Sequence, residues 1–240
     1  MIPFRLLPAL LLIFLTACAS TPNPQVWQAE YTQAMQAVKA GHFEAAIASL
    51  ESLRDSAADE NLRYQAETAL AYALYKKGDY PAALQQAEEI IHRYPPTPQQ
   101  AYIYYLRGLI TLKQGEEEQR KLLADQTTAA AYPMSLRKAY EHFTELIHHF
   151  PRSTYTEQAY RHLDTIRELL AEYEVHQIQR LMMQKRYQQA IDRARYVGEN
   201  FDDTKANLQA QRLMAKAYEA LGKPEEAELI HRRLEEREAR

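Results

Sequence analysis

The feature that most constrains this chain is a pattern that recurs along it. A helix-ending turn is followed at once by an aromatic residue or proline, and three positions later by an alanine or aromatic. Gly41-His42-Phe43 leads to Ala46, Gly78-Asp79-Tyr80 to Ala83, Lys138-Ala139-Tyr140 to Phe143, Lys185-Arg186-Tyr187 to Ala190, and Gly222-Lys223-Pro224 to Ala227. Each position has a physical reason. A glycine takes the left-handed conformation that ends a helix, and the next aromatic packs back across the turn. A small residue one turn later lets the following helix approach its partner closely. Upstream, Leu70-Ala71 with Leu74 and Met214-Ala215 with Tyr218 have the spacing of a packed helix face. Tyr94-Pro95 and Phe150-Pro151 stop helices, because proline cannot continue them. No segment reads as a strand.

The anchors at 43, 80, 140, 187 and 224 include two intervals close to the tetratricopeptide period of about 34 residues, and two longer ones. The expected fold is therefore all-α, a tetratricopeptide-type solenoid of about five helical hairpins over residues 25–236. Asn23-Pro24 supplies a capping side chain and a first-turn proline for the opening helix. Gly108 and Gly115 keep the repeat spacing, but Tyr140 comes late. The extra residues, 116–136, contain Pro133 and a Thr/Ala-rich run, which predicts an insertion forming a partly ordered surface loop. Thr154 with Glu157 has the pattern of a capping box, and a long helix is expected from there to Gln184.

Ahead of the repeats lies one strongly apolar stretch, Leu6 to Ala17, shorter than the ~20 residues a membrane-spanning helix needs. With Arg5 before it and small residues at its end, residues 1–17 read as a secretory signal peptide. Leu15-Thr16-Ala17-Cys18 fits a bacterial lipobox, in which the cysteine is diacylated and becomes the N-terminus. Cys18 is the only cysteine, so an internal disulfide is closed to it. Residues 18–24 form a short polar tether, and Ala19 after the cysteine, in place of Asp, resembles lipoproteins exported to the outer membrane.

The charged residues, 29 Lys+Arg against 32 Asp+Glu, are interspersed, and no cluster makes a phosphate-binding footprint, so nucleic acid is not an expected partner. No phosphate loop, nucleophile elbow or zinc-protease motif is present, and neither catalysis, a cofactor nor a metal is expected. His142, Glu145 and His149 share a helix face that could hold a metal, but read better as a solvated face with an i,i+4 pair. Asp164, Glu168 and Glu172, interleaved with Arg161 and Arg167, read as a charged outer face. Tyrosine is abundant, at 17 residues. Tyr72, Tyr75, Tyr102, Tyr104 and Tyr105 lie on helices expected to line the concave side, where they either pack between repeats or present a peptide-binding groove. Arg193 falls at the edge of the packed face formed by Ala190, Ile191 and Ala194, and from the residues alone it reads as a solvated side chain paired with Asp192 or Glu199.

Taken together, Leu70-Ala-Tyr-Ala-Leu-Tyr-Lys76, Tyr105-Leu-Arg-Gly-Leu109, Phe143-Thr-Glu-Leu-Ile-His-His-Phe-Pro151, Leu170-Ala-Glu-Tyr-Glu174 and Asp192-Arg-Ala-Arg-Tyr-Val197, behind a lipobox, resemble the BamD family of the bacterial β-barrel assembly machinery. The resemblance implies a lipid-anchored scaffold at the periplasmic face of the outer membrane. Its C-terminal half would hold the last POTRA domain of a BamA-like barrel protein, beside other assembly lipoproteins, and its N-terminal half would contact unfolded outer-membrane proteins. It also implies that Arg193, preceded by Asp192 where the family has asparagine, meets a carboxylate on that partner. Ala57-Ala-Asp-Glu60 replaces the family's Tyr-Pro-Phe-Gly run, and Lys185-Arg186 its glycine-containing turn. The chain is thus a divergent member or a paralogue that kept the scaffold, and a general periplasmic tetratricopeptide adaptor, as in envelope or division coordination, is the alternative function.

Overall fold

The computed structural model describes residues 24–124 and 132–239. Cys18, Asn23 and most of the residues assigned to the signal peptide and tether lie outside them. Among the described residues there are ten α-helices and one short 3-10 turn, with no strand. They are α1 (Pro24–Ala40), α2 (Phe43–Asp55), α3 (Glu60–Lys77), α4 (Tyr80–Arg93), α5 (Ala101–Ala124), α6 (Met134–His149), α7 (Thr156–Met183), α8 (Tyr187–Asn200), α9 (Lys205–Ala220) and α10 (Pro224–Glu238). Consecutive helices pack into five hairpins, and first helices of neighbouring hairpins also touch, α1 on α3, α3 on α5, α5 on α7 and α7 on α9. The fold is a helical-hairpin solenoid, as the recurrent pattern predicts.

Four of the five hairpins turn in the same way. Gly41, Gly78 and Gly222 have φ of 81°, 86° and 73°, and Lys185 takes the same left-handed role with φ 59°. The next residue's N–H then reaches back five positions in each case, His42 to Ala37 O, Asp79 to Leu74 O, Arg186 to Leu181 O and Lys223 to Tyr218 O, at 2.9–3.0 Å. This pairing satisfies carbonyls that a helix end otherwise leaves bare.

The third hairpin departs from its sequence reading. Lys138-Ala139-Tyr140 is not a turn but the middle of α6, and residues 116–124 are not loop but the last turns of α5. The reason is packing. Gly108 and Gly115, two turns apart on α5, leave a smooth strip into which α6 settles. A Cβ at Gly108 would lie 2.6 Å from Phe143 Cε1, and one at Gly115 would lie 2.7 Å from Leu136 Cδ2 and 2.8 Å from the Leu136 backbone nitrogen. Close contact starts at the first turn of α6, so α5 has to continue alongside it. Buried Gln119 then donates to the Leu169 carbonyl at 2.9 Å, tying this extension to α7.

The long helix α7 starts two residues later than expected, and the capping box is not formed. Tyr155 precedes it without a side-chain cap. The preceding turn is closed instead by Thr156 Oγ1, buried and donating to the Phe150 carbonyl at 2.7 Å.

Candidate functional site

The tyrosines make ring contacts in two groups, one within the second hairpin and one where the third meets the fourth. Tyr72 and Tyr75 on α3 are 6.5 Å apart between centroids, and Tyr75 meets Tyr80 at 6.2 Å. Tyr102 and Tyr105 on α5 both contact Tyr155, at 5.6 and 5.0 Å. Burial pushes the Tyr102 phenol well above its ordinary pKa, with Tyr72 and Tyr155 adding to the shift. Tyr105 is buried, and its hydroxyl lies 2.8 Å from Gln158 Oε1 and 3.1 Å from His162 Nε2. Tyr104 belongs to neither group. It is buried against Phe150 and His149, with the Arg107 guanidinium 5.1 Å from its ring. Successive helix positions point about 100° apart, which turns Tyr104 toward Phe150 and Tyr105 toward Tyr155.

The α6 face is solvated at its C-terminal end, where His149 is exposed and Glu145 half-buried, and closes over α5 at His142. His142 faces Thr111 Oγ1 at 3.1 Å, and desolvation, with Arg107 and Lys138 nearby, pushes its imidazole down to a pKa of about 4. Glu145 accepts from Arg107 Nη2 at 2.5 Å, while the other terminal nitrogen of Arg107 lies 3.4 Å from Glu88 on α4. Arg107 is itself buried, so it takes charge balance from both neighbours and clamps α4, α5 and α6 together. His149 lies 3.8 Å from Glu145. Glu145 and His149 thus form the expected i,i+4 pair while His142 turns to Thr111, and among the described residues no group of three His, Cys, Asp or Glu side chains is placed to hold a metal.

The carboxylates of α7 also have structural work. Glu168 is no mere surface charge: it accepts from the backbone N–H groups of Lys205 and Ala206, at 2.9 and 2.8 Å, and so caps α9. Arg167 pairs with Asp203 at 2.6 Å, and Arg161 with Glu157. Burial, reinforced by Glu168, raises the Glu172 pKa. Asp164 is exposed.

The second site lies between α7 and α8. Arg193 donates through Nη1 to Glu174 Oε2 at 2.6 Å, not to Asp192 or Glu199. Asp192 instead meets Arg195 at 3.5 Å and accepts from Gln188 at 3.2 Å. Burial raises the Glu174 pKa, and the Arg193 charge and hydrogen bond oppose that rise. The pair borders an open pocket of about 760 Å³ whose rim includes Tyr132, Tyr173, Asp192 and Tyr196. Tyr132 stands edge-on to Tyr173 at 5.7 Å, and both Tyr132 and Tyr196 are exposed. The combination of a half-exposed guanidinium, exposed tyrosines and a concave wall suits a protein surface carrying a carboxylate and apolar side chains.

Residues 25–233 match the family described as YfiO, outer membrane lipoprotein. The chain belongs to this family. Several similar relatives are named outer membrane protein assembly factor BamD. That of Haemophilus influenzae is 28% identical over 193 residues, covering 80% of this chain and 73% of the relative. That of Neisseria meningitidis serogroup A is 28% identical over 230 residues, covering 92% and 86%. That of Vibrio cholerae is 26% identical over 216 residues, covering 89% of each. Among solved structures, a Podosopora anserina protein of nearly identical TPR-like repeats aligns with 90% of this chain and 97% of its own at 15% identity and a TM-score of 0.41. In this family member, no helix among the described residues is long and apolar enough to cross a membrane.

Sequence reasoning singled out Arg193 and missed Glu174 as its partner. A signal was present: Glu174 stands four residues after Leu170 and four before Ile178, a carboxylate inside the apolar stripe of α7. Tyr132 and Tyr173 carry no such mark, because only the approach of α6 to α7 sets one against the other.

Proposed function

We propose that this lipoprotein is a lipid-anchored periplasmic scaffold of the machinery that assembles outer-membrane β-barrel proteins. In this reading Cys18 carries the anchor and holds the chain to the periplasmic face of the outer membrane. The α7–α8 pocket, with Arg193 and Asp192, holds the POTRA region of a BamA-like barrel protein, and other assembly lipoproteins bind elsewhere on the same scaffold. The two tyrosine groups that include Tyr72, Tyr75, Tyr102 and Tyr105 contact unfolded outer-membrane proteins. No catalytic step is assigned.

The observation that carries the reading is the family match across residues 25–233, with relatives named as assembly factors over most of their own length. The pocket adds support of a different kind, since it is open, concave and charged where the resemblance puts a partner. The test is co-purification of the lipidated chain from detergent-solubilised envelopes. Recovery of a BamA-like barrel protein is the expected result. Recovery of division or peptidoglycan proteins without it would favour a general periplasmic adaptor.

A further inference from the structure

Glu174 is an expensive residue to keep. Its side chain is 6% exposed on a helix face otherwise made of Leu170, Ala171, Val175 and Ile178, and taking a carboxylate out of water destabilises the fold unless a partner offsets it. Among the described residues its ion pair is with Arg193, whose guanidinium is 39% exposed. That partner is shared unevenly. Arg193 gives Glu174 one N–H, while a guanidinium carries five donors in a rigid plane. The donors left over belong to a side chain that borders the pocket. A buried group that costs stability and orients an exposed one is placed as a support for a binding residue.

We propose that Glu174 is the positioning residue of this pocket: its carboxylate grips one edge of the Arg193 guanidinium and so presents the remaining donors, in a fixed direction, to a carboxylate on the partner protein. The assignment rests on the functional reading above. Two effects compete. Removing the Glu174 charge lessens repulsion against an incoming carboxylate, but it also frees a long side chain that must then be ordered on binding. The Arg193 guanidinium bonded to Glu174 already offsets most of that repulsion. Nothing offsets the ordering loss, so it decides the sign.

The test is a double-mutant cycle on the full lipidated chain in detergent, titrated with the purified periplasmic region of the BamA-like barrel protein. Glu174→Ala is expected to weaken binding by about two- to tenfold, the range for one side chain that must be immobilised on binding. Glu174→Gln, whose amide oxygen still accepts from Arg193, is expected to recover part of that loss. Arg193→Gln is expected to cost about thirtyfold or more. If Glu174 acts only through Arg193, Glu174→Ala adds nothing in the Arg193→Gln background. Additive costs, or tighter binding by Glu174→Gln, overturn the assignment while leaving the functional reading intact. Failure of the wild-type chain to bind overturns that reading and the assignment with it. Melting temperatures recorded for every variant separate lost binding from lost fold.

Discussion

Arg193 on α8 and Glu174 on α7 are joined at 2.6 Å, and the carboxylate is the buried member of the pair. Arg193 is therefore not only a surface residue awaiting a partner. It also neutralises a charge that the α7–α8 interface has removed from water. Substituting it acts on the fold and on binding at the same time.

Arg193→Glu is accordingly expected to destabilise the isolated chain as well as abolish partner capture. Two carboxylates would face each other with one of them buried. Stranding one member of a fully buried pair costs about 3–5 kcal/mol, and the solvent-accessible arginine end reduces this to about 1–3 kcal/mol. A thermal melt checks it; a melting temperature equal to wild type would show that Glu174 reaches water when Arg193 is lost.

Glu174→Gln is expected to be at least as stable as wild type at neutral pH. Burial raises the folded-state pKa of Glu174 above its ordinary value, so its protonated form favours folding. That contribution is present below the ordinary carboxylate pKa and is lost as pH rises through the raised one. The advantage of the glutamine variant should therefore be largest near pH 7 and fade in acid. Denaturant midpoints for both proteins across pH 4 to 7 measure it, and an advantage that grows in acid would reverse the argument.

Gly115→Ala is expected to lower stability although alanine is the better helix former. The helical gain is about 1 kcal/mol. The new methyl would sit 2.8 Å from the Leu136 backbone nitrogen, which cannot rotate aside, and overpacking of this kind costs about 1–3 kcal/mol. A melting temperature at or above wild type would mean that α6 shifts freely on α5.

Lys185→Gly and Gly78→Val are expected to move stability in opposite directions. Lys185 holds a φ of 59° and Gly78 one of 86°. Releasing a non-glycine side chain from that region should gain about 0.5–1 kcal/mol after the extra freedom of the unfolded glycine is deducted. Forcing valine into it should lose about 1–3 kcal/mol. Chemical denaturation of the two variants ranks them directly.

Cys18→Ser is expected to release the protein from membranes. Stable anchoring takes more than one acyl chain or signal, at about 0.8 kcal/mol per buried CH₂, and no described helix offers a substitute. Retention in the membrane fraction after an alkaline wash would count against the anchor.

What the sequence determined by itself is whatever depends on residues close together along the chain. The turns at Gly41, Gly78 and Gly222, the stops at Tyr94-Pro95 and Phe150-Pro151 and the five-hairpin architecture all follow from local stereochemistry, which needs no distant partner. Even Lys185 kept its turn without a glycine, because the helices on either side impose the conformation. The placement of Arg193 at the edge of a packed face was legible for the same reason. Only the tertiary structure decided the rest. Whether residues 116–124 were loop or helix depended on α6 lying in the glycine strip of α5. His142 and Glu168 read as surface because their partners, Thr111 and the start of α9, lie thirty or more residues away in sequence. The Glu174–Arg193 pair is likewise tertiary, since helix periodicity says which face a side chain takes but not what comes to meet it there.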